Sequence, residues 1–183
     1  KVILGTRARK TRTKSFNAFS SIDYPETAVF RDMRLIPFLR RPDPMPPVQF
    51  YEQLDPAVFV LRLVPGMRAD IIPLLAPHYR ALVVESFGVG GLPGGEHGEM
   101  YARLQDWCAS GRLAVFTTQV PHEGCDLAVY EVGRSVKELP GVLEAKDMTP
   151  EAVAVKLMWA LGQTTDRAEA MRLFTTPVEW DIV

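Results

Sequence analysis

Five cationic side chains fall within eight residues near the start of the chain. They are Arg7, Arg9, Lys10, Arg12 and Lys14. Such a segment can bind nucleic acid, but no aromatic residue interleaves with these cations to stack on bases. It can also be a solvated basic face. A third interpretation is that one lysine is chemically special, because a lysine crowded by cations and partly desolvated has a lowered pKa and can transfer protons near neutral pH.

A second group of reactive side chains lies in the middle of the chain. His122, Glu123, Cys125 and Asp126 are close in sequence and suggest a metal site or a Cys-His pair. Their spacing does not place two ligands on one face of a helix, so we predict turn or capping roles and no metal. Cys125 and the other cysteine, Cys108, form no CxxC pair, and we expect two free thiols in a reducing compartment.

Three apolar runs indicate the elements that must position these side chains. They cover 58–64, 81–87 and 113–118, and each is almost continuously apolar, as in strands that are buried on both faces. Helical segments near 69–76 and 98–110 separate the runs. The alternation predicts a parallel α/β sheet with crossover helices.

The sequence also predicts how the last part of the chain folds. Thr149 can cap a helix that has Pro150 at its first position and ends near Gly162. Asp166 can cap a second helix. Both helices carry apolar side chains suited to packing on a sheet.

A glycine-rich stretch follows the second apolar run. In parallel sheets, ligands bind beyond the carboxyl ends of the strands, and GVGGLPGG at 88–95 could let backbone approach a ligand there. No GK[ST] follows it, and it is not a GxGxxG that opens a helix. We therefore favour a flexible turn.

Prolines and charge divide the chain. Six prolines fall within 37–57, which we predict to be a linker because proline removes backbone donors. Residues 1–41 carry a net charge of +7, and the remainder carries −8. We predict one unit over 1–36 and a C-terminal domain over 58–183, with residues 1–24 in another sheet and not on the core of 58–183. We also expect a portion of a longer chain, because the sequence opens with Lys1 inside an apolar run.

Several segments together resemble a known family. LVPGMRADII, VVESFGVGGLP, FTTQV and KDMTPEAVAVKLMWAL are similar, in order and spacing, to the C-terminal domain of bacterial L-asparaginases, closer to the cytoplasmic branch. The opening TRARKTRTKSFNAFSSIDYP resembles the end of that family's N-terminal domain. The resemblance implies an α/β fold, with a small parallel sheet and flanking helices after a fragment of a larger α/β N-terminal domain.

The same resemblance implies a reaction and a site residue. The family hydrolyses asparagine to aspartate and ammonia with a threonine nucleophile and no cofactor. Lys10 matches the family's lysine, which helps to deprotonate a second threonine, and Arg9 and Arg12 would favour its neutral form. The TGGT-like and TDT-like motifs of the nucleophile are absent from these residues. We therefore expect this chain alone to be inactive.

The resemblance further implies an assembly. The family's C-terminal domain reaches into the active site of a neighbouring subunit, and Glu131 matches the acid that contacts the substrate there, although a surface helix would suit it equally. The implied partners are asparagine, with glutamine possible, and further copies in a homodimer or homotetramer. No nucleic acid or membrane is implied, and the location is cytoplasmic. Val120 replaces the cysteine of an allosteric asparagine site, which makes such a site doubtful.

Two other function classes stay open at this point. The chain could be a non-catalytic α/β module for ligand binding or dimerisation. It could also be the asparaginase-like subunit of a tRNA-dependent amidotransferase, which uses the same fold to supply ammonia. TGGT-like and TDT-like motifs upstream would identify the amidohydrolase class, and an additional β-barrel domain would favour the amidotransferase.

Overall fold

A computed structural model describes residues 1–39, 47–94 and 98–183. The N-terminal part holds a short 3-10 helix (Gly5–Arg7), β1 (Ala8–Lys10), β2 (Phe19–Ser21), β3 (Ala28–Arg31) and β4 (Arg34–Pro37). The remainder holds β5 (Val58–Arg62), α1 (Ile71–Leu75), β6 (Ala81–Ser86), α2 (Glu99–Ala109), β7 (Leu113–Thr118), α3 (Glu131–Lys137), β8 (Val142–Glu144), α4 (Pro150–Gln163) and α5 (Arg167–Thr175).

The main sheet is parallel, as the sequence predicts. Its strands lie in the order β5-β6-β7-β8, and Val83 pairs with Val60 on one side and with Val115 on the other. The fourth strand, β8, is missing from the sequence prediction. It has only three residues, of which Leu143 alone is buried, so it lacks the continuous apolar run that marks the other strands.

Two cores lie on opposite faces of this sheet. Leu82 and Val84 pack with α1 and α2 on one face, whereas Ala81 and Val83 pack with α4 and α5 on the other. Successive side chains of a strand point to opposite faces, so a strand between two helical layers must be apolar at every position. The uninterrupted apolar runs follow directly from this three-layer arrangement.

The predicted helix starts are confirmed for α4 and α5. Thr149 Oγ1 accepts a hydrogen bond from the Ala152 amide at 3.2 Å, and Asp166 Oδ1 accepts one from the Glu169 amide at 2.8 Å. Each bond satisfies an amide that has no partner inside its helix. Among the helices that the structure describes, none is long and apolar enough to cross a membrane.

The N-terminal part folds into two antiparallel pairs, β1 with β2 and β3 with β4, separate from the parallel sheet. This confirms the prediction of another sheet. Residues 1–24 do not join either core of the sheet, but Arg7 is fully buried in polar contacts with residues 147 and 180. Val2, Ile3 and Leu4 are not buried. Polar contacts, with Arg7 the most buried of them, join the two parts, and the apolar opening run is not buried between them.

The proline-rich stretch holds no helix where the structure describes it. Pro37 ends β4, residues 47–57 have no helix or strand, and the predicted linker residues 40–46 lie outside the described residues. Residues just before β5 lie against α4. The Asp55 amide donates to the Met158 carbonyl at 2.9 Å, and Tyr51 meets Trp159 edge to face.

Candidate active-site edge of the sheet

The carboxyl ends of the parallel strands form a polar edge. Gln119 Nε2 donates to the carbonyls of Leu63 at 2.6 Å and Glu85 at 2.9 Å. Ser86 Oγ donates to the Thr117 carbonyl at 2.8 Å. These bonds join the ends of β5, β6 and β7. Their acceptors are backbone carbonyls at the point where the hydrogen bonding between the strands ends. The edge where parallel sheets bind ligands is therefore built from fixed polar groups.

Arg7 docks the N-terminal part beside this edge. Its Nη1 donates to the carboxylate of Asp147 at 2.8 Å and to the carbonyl of the same residue at 2.9 Å. Its Nε donates to the Trp180 carbonyl at 2.8 Å, and the guanidinium lies over the Tyr24 ring. Because Asp147 follows β8, this contact places the start of β1 next to the carboxyl end of the sheet.

Two further contacts hold the same arrangement. Thr149 Oγ1 donates to the Thr6 carbonyl at 3.1 Å. His122 Nδ1 lies 3.1 Å from Asp23 Oδ1, which links the loop after β7 to the residues after β2. The pair β1–β2 therefore contacts the loops that leave both β7 and β8.

Lys10 is the last residue of β1 and pairs with Phe19 of β2. The loop that follows is closed by hydrogen bonds from the Thr11 and Arg12 amides to the Ala18 carbonyl. Lys10 and the loop residues 11–15 line an open groove of about 580 Å³. The lysine side chain is exposed in this groove.

The cations around Lys10 have their own partners. Arg9 Nε lies 3.7 Å from Glu151 Oε1 at the start of α4, and Arg12 Nη1 donates to the Asn17 carbonyl at 3.1 Å. Arg9 and Lys10 are adjacent on a strand, so their side chains leave it on opposite faces. Arg9 is therefore directed towards α4, and the influence of Arg9 and Arg12 on Lys10 stays a prediction.

Glu131 lies at the first position of α3, with an exposed side chain. Its carbonyl accepts from Ser135 Oγ at 3.3 Å. The helix begins in the loop that leaves the carboxyl end of β7, so Glu131 is a surface helix residue on the loop side of the sheet. This position agrees with one of the two interpretations that the sequence left open.

The reactive group at 122–126 does not converge on one point. His122 contacts Asp23, the Cys125 thiol lies 3.4 Å from the Val89 carbonyl, and Asp126 Oδ1 accepts from the Ala128 amide at 2.8 Å. Burial raises the pKa of Cys125 to about 12, and the nearby Glu144 carboxylate adds to this. Within residues 1–39, 47–94 and 98–183, no group of His, Cys, Asp and Glu side chains could hold a metal ion.

The glycine-rich stretch packs tightly where it is described. A Cβ on Gly90, which has a φ of +151°, would lie 2.7 Å from a methyl of Leu127. The Val89 carbonyl accepts from the Asp126 amide at 3.1 Å. Val89 and Gly90 thus pack closely against the loop after β7, whereas Gly88 and Gly94 are exposed, and Gly95 lies outside the described residues.

Sequence reasoning missed the contact that organises this edge. Arg7 is one of five cations in the basic strip, and nothing in its local pattern separates it from the others. Asp147 and Trp180 are 140 and 173 residues away along the chain. A buried arginine needs a partner that can only be found once the fold is known.

Together these features define a three-layer α/β domain that carries a preceding segment on the carboxyl edge of its sheet. The chain belongs to the glutaminase/asparaginase C-terminal domain family, whose model matches residues 57–174.

Two curated relatives extend the likeness beyond that domain. The chain is 36% identical to an L-asparaginase of Thermococcus kodakarensis, over all of this chain and 55% of the relative. It is 35% identical to a subunit of the glutamyl-tRNA(Gln) amidotransferase of Metallosphaera sedula, over 94% of this chain and 39% of the relative. The chain thus spans about half the length, or less, of these relatives.

Solved structures show the same fold. The thermostable L-asparaginase of T. kodakarensis superimposes with a TM-score of 0.91 and 34% identity, covering 99% of this chain and 54% of the other. L-asparaginase I of Vibrio cholerae superimposes with a TM-score of 0.81 at 23% identity, covering 99% of this chain and 55% of the other. The expected α/β architecture is therefore confirmed.

Proposed function

We propose that this chain is the C-terminal portion of an amidohydrolase that converts L-asparagine to L-aspartate and ammonia. The observation that carries the proposal is the docking of the basic strip, through Arg7, beside the carboxyl edge of the sheet. Ligands of parallel sheets bind at this edge. The likeness to an L-asparaginase over the whole of this chain supports the same conclusion.

Lys10 is the proposed proton-transfer residue. It ends β1 in an open groove, three residues after the anchored Arg7, so its backbone is held while its ammonium stays accessible. A lysine can relay a proton but cannot replace an activated hydroxyl nucleophile. The threonine nucleophile and its motif are not found among these residues.

Glu131 is proposed to contact the amino group of a substrate in a neighbouring subunit. Its exposed position at the start of α3, on the loop side of the sheet, leaves the carboxylate available to another chain. This role requires an assembly, and we infer a homodimer or homotetramer. We propose 1–36 as the end of an N-terminal catalytic domain, 37–57 as the linker and 58–183 as the C-terminal domain.

The proposed cellular setting follows from the two thiols. Cys108 and Cys125 are free and buried, which agrees with a reducing compartment, and we infer a cytoplasmic enzyme of the bacterial type. Small-molecule amides are the proposed partners, without nucleic acid, membrane or cofactor.

A second candidate has its own support. The likeness to the glutamyl-tRNA(Gln) amidotransferase subunit covers 94% of the chain at 35% identity. In that case the same hydrolysis would supply ammonia to a glutamyl-tRNA partner complex. The non-catalytic module described by the sequence remains the third possibility.

Substrate assays on the full-length protein distinguish these candidates. Ammonia release from free L-asparagine, with slower release from L-glutamine, is expected for the asparaginase. Activity that depends on glutamyl-tRNA and a partner subunit would favour the amidotransferase. The absence of ammonia release from either amide, in a folded protein, would favour the non-catalytic module and overturn both enzymatic proposals.

A further inference from the structure

A cavity lies at the opposite end of the parallel sheet from the candidate active site. It has a volume of about 350 Å³ and is lined by the residues just before β6 and β7, by the end of α4 and by the start of α5. This volume falls in the range of about 300–1,000 Å³ that is typical of small-molecule sites. The residues that carry the proposed hydrolysis do not line it.

Three arginines line this cavity: Arg80, Arg112 and Arg167. Arg80 is paired, since its Nη1 lies 2.6 Å from the Asp55 carboxylate. Arg112 is held in place by carbonyls, because its Nη2 donates to Ala76 at 2.7 Å and its Nε donates to Tyr79 at 3.2 Å. Carbonyls orient a guanidinium but do not neutralise its charge.

Arg167 is the least satisfied of the three. Its Nε and one Nη are buried and have no hydrogen-bond partner among the described residues. The guanidinium lies directly against Gly141, where a Cβ would collide with it. Its charge also reaches Cys108, whose pKa is raised to about 11 by burial while Arg167 opposes that rise.

Of the three arginines, Arg80 has a carboxylate partner. Asp55 is engaged by Arg80, and the neighbouring Asp166 accepts from the Glu169 amide as the cap of α5. Within the part of the chain that the structure describes, Arg112 and Arg167 form no ion pair. Two guanidinium groups without an ion pair leave the cavity lining positively charged, and an anion would compensate that charge.

From this geometry we propose that the cavity binds a phosphate group, as free phosphate or as a small phosphate monoester. Guanidinium groups suit the oxygens of a phosphate, which can accept two parallel hydrogen bonds from one arginine. The cavity is larger than a phosphate ion needs, so it leaves room for the organic part of a monoester. Binding here would not block the opposite, carboxyl edge of the sheet.

Calorimetric titration of the intact protein with inorganic phosphate tests the site directly. We expect saturable binding with a Kd of about 1 mM or tighter. Arg167→Gln removes the unpaired charge and should weaken binding about tenfold or more. Thr165→Glu places a carboxylate at an exposed position of the cavity lining, with little risk to folding, and should weaken binding similarly.

Arg68→Gln is the matched control. Arg68 is exposed and pairs with Asp70 away from the cavity, so phosphate binding should not change. A parallel titration with succinate distinguishes a carboxylate site from a phosphate site. The proposal is overturned by the absence of saturable phosphate binding up to about 10 mM, by unchanged binding in Thr165→Glu, or by preference for succinate. If Arg167→Gln does not fold, Thr165→Glu decides alone.

Discussion

The two parts of the molecule expose their apolar side chains very differently. In the C-terminal part, every residue of β6 and β7 is buried between two helical layers. In the N-terminal part, all four residues of β4 are exposed, as is Phe30 of β3. The C-terminal part is stabilised by burial of its own apolar surface, whereas polar contacts from Arg7, Thr6 and Asp23 position the N-terminal part. This comparison separates residues that build the fold from residues that place a site upon it.

The largest effect on activity is expected at Lys10, which is proposed to transfer a proton but contributes little to the fold. In the full-length enzyme, Lys10→Met should reduce asparagine turnover about 10²–10⁴-fold, because it removes a proton-transfer group. Folding should stay nearly intact, since the side chain is exposed. Steady-state ammonia release and a thermal melt measure the two quantities.

Lys14→Met is the control for this substitution, because Lys14 belongs to the same exposed loop and groove. It should leave turnover almost unchanged. Equal activity in both variants would reduce Lys10 to a surface charge. Loss of activity in both, with a lower melting temperature, would indicate a structural role for the strip.

Two phenylalanines test the difference in burial. Phe116 in β7 is fully buried, whereas Phe30 in β3 is 57% exposed. Phe116→Ala should lower the free energy of unfolding by about 3–5 kcal/mol, because it removes apolar contacts and leaves a cavity. Phe30→Ala should change it by about 0.5 kcal/mol or less in this chain. Urea denaturation measures both, and similar losses would contradict the comparison.

Replacing Asp147 should lower the folding stability more than replacing Arg7, its partner in the docking ion pair. Asp147→Ala leaves the fully buried Arg7 without its carboxylate and should cost about 3–5 kcal/mol of folding stability. Arg7→Met leaves Asp147, whose side chain is 20% exposed and can recruit water, and should cost about 1–3 kcal/mol. Urea denaturation of the single and double variants tests this order. A larger loss for Arg7→Met would show that its hydrogen bonds to carbonyls outweigh the ion pair.

The smallest effects on folding stability are expected from the titration of the two buried thiols. Burial raises the pKa of Cys108 to about 11 and that of Cys125 to about 12, above the ordinary value of 9.0. Each neutral thiol therefore stabilises the folded state fully below about pH 9, and this contribution is lost as the pH rises through the folded values. Thiol labelling at pH 8 should be negligible until the chain unfolds, since the thiolate is the reactive form. Rapid labelling of the folded chain would contradict the burial.

The sequence predicted the sheet well because its signal is local. A strand covered on both faces must be apolar at every position, and three such runs stand out without reference to any other part of the chain. Helix caps at Thr149 and Asp166 are equally local, since the capping side chain and its amide partner lie three residues apart. The short β8 was missed because three residues, with one of them buried, carry too little pattern.

The site was less predictable, because its contacts join distant parts of the chain. Lys10 and Glu131 were chosen by their types and by resemblance, and their roles stay predictions. The sequence could not show that Arg9 turns towards Glu151, or that Lys10 is exposed. Local crowding of cations along the sequence does not become crowding in space when neighbouring side chains leave a strand on opposite faces.

By itself, the sequence determined the parallel sheet and its helical layers, because periodicity acts over a few residues. Only the tertiary structure decided which cation of the basic strip is buried. It selected Arg7 to join Asp147 and Trp180, and it left Arg167 without an ion-pair partner among the described residues beside a cavity. Charged side chains look alike along the chain, and their partners are set by how the elements pack.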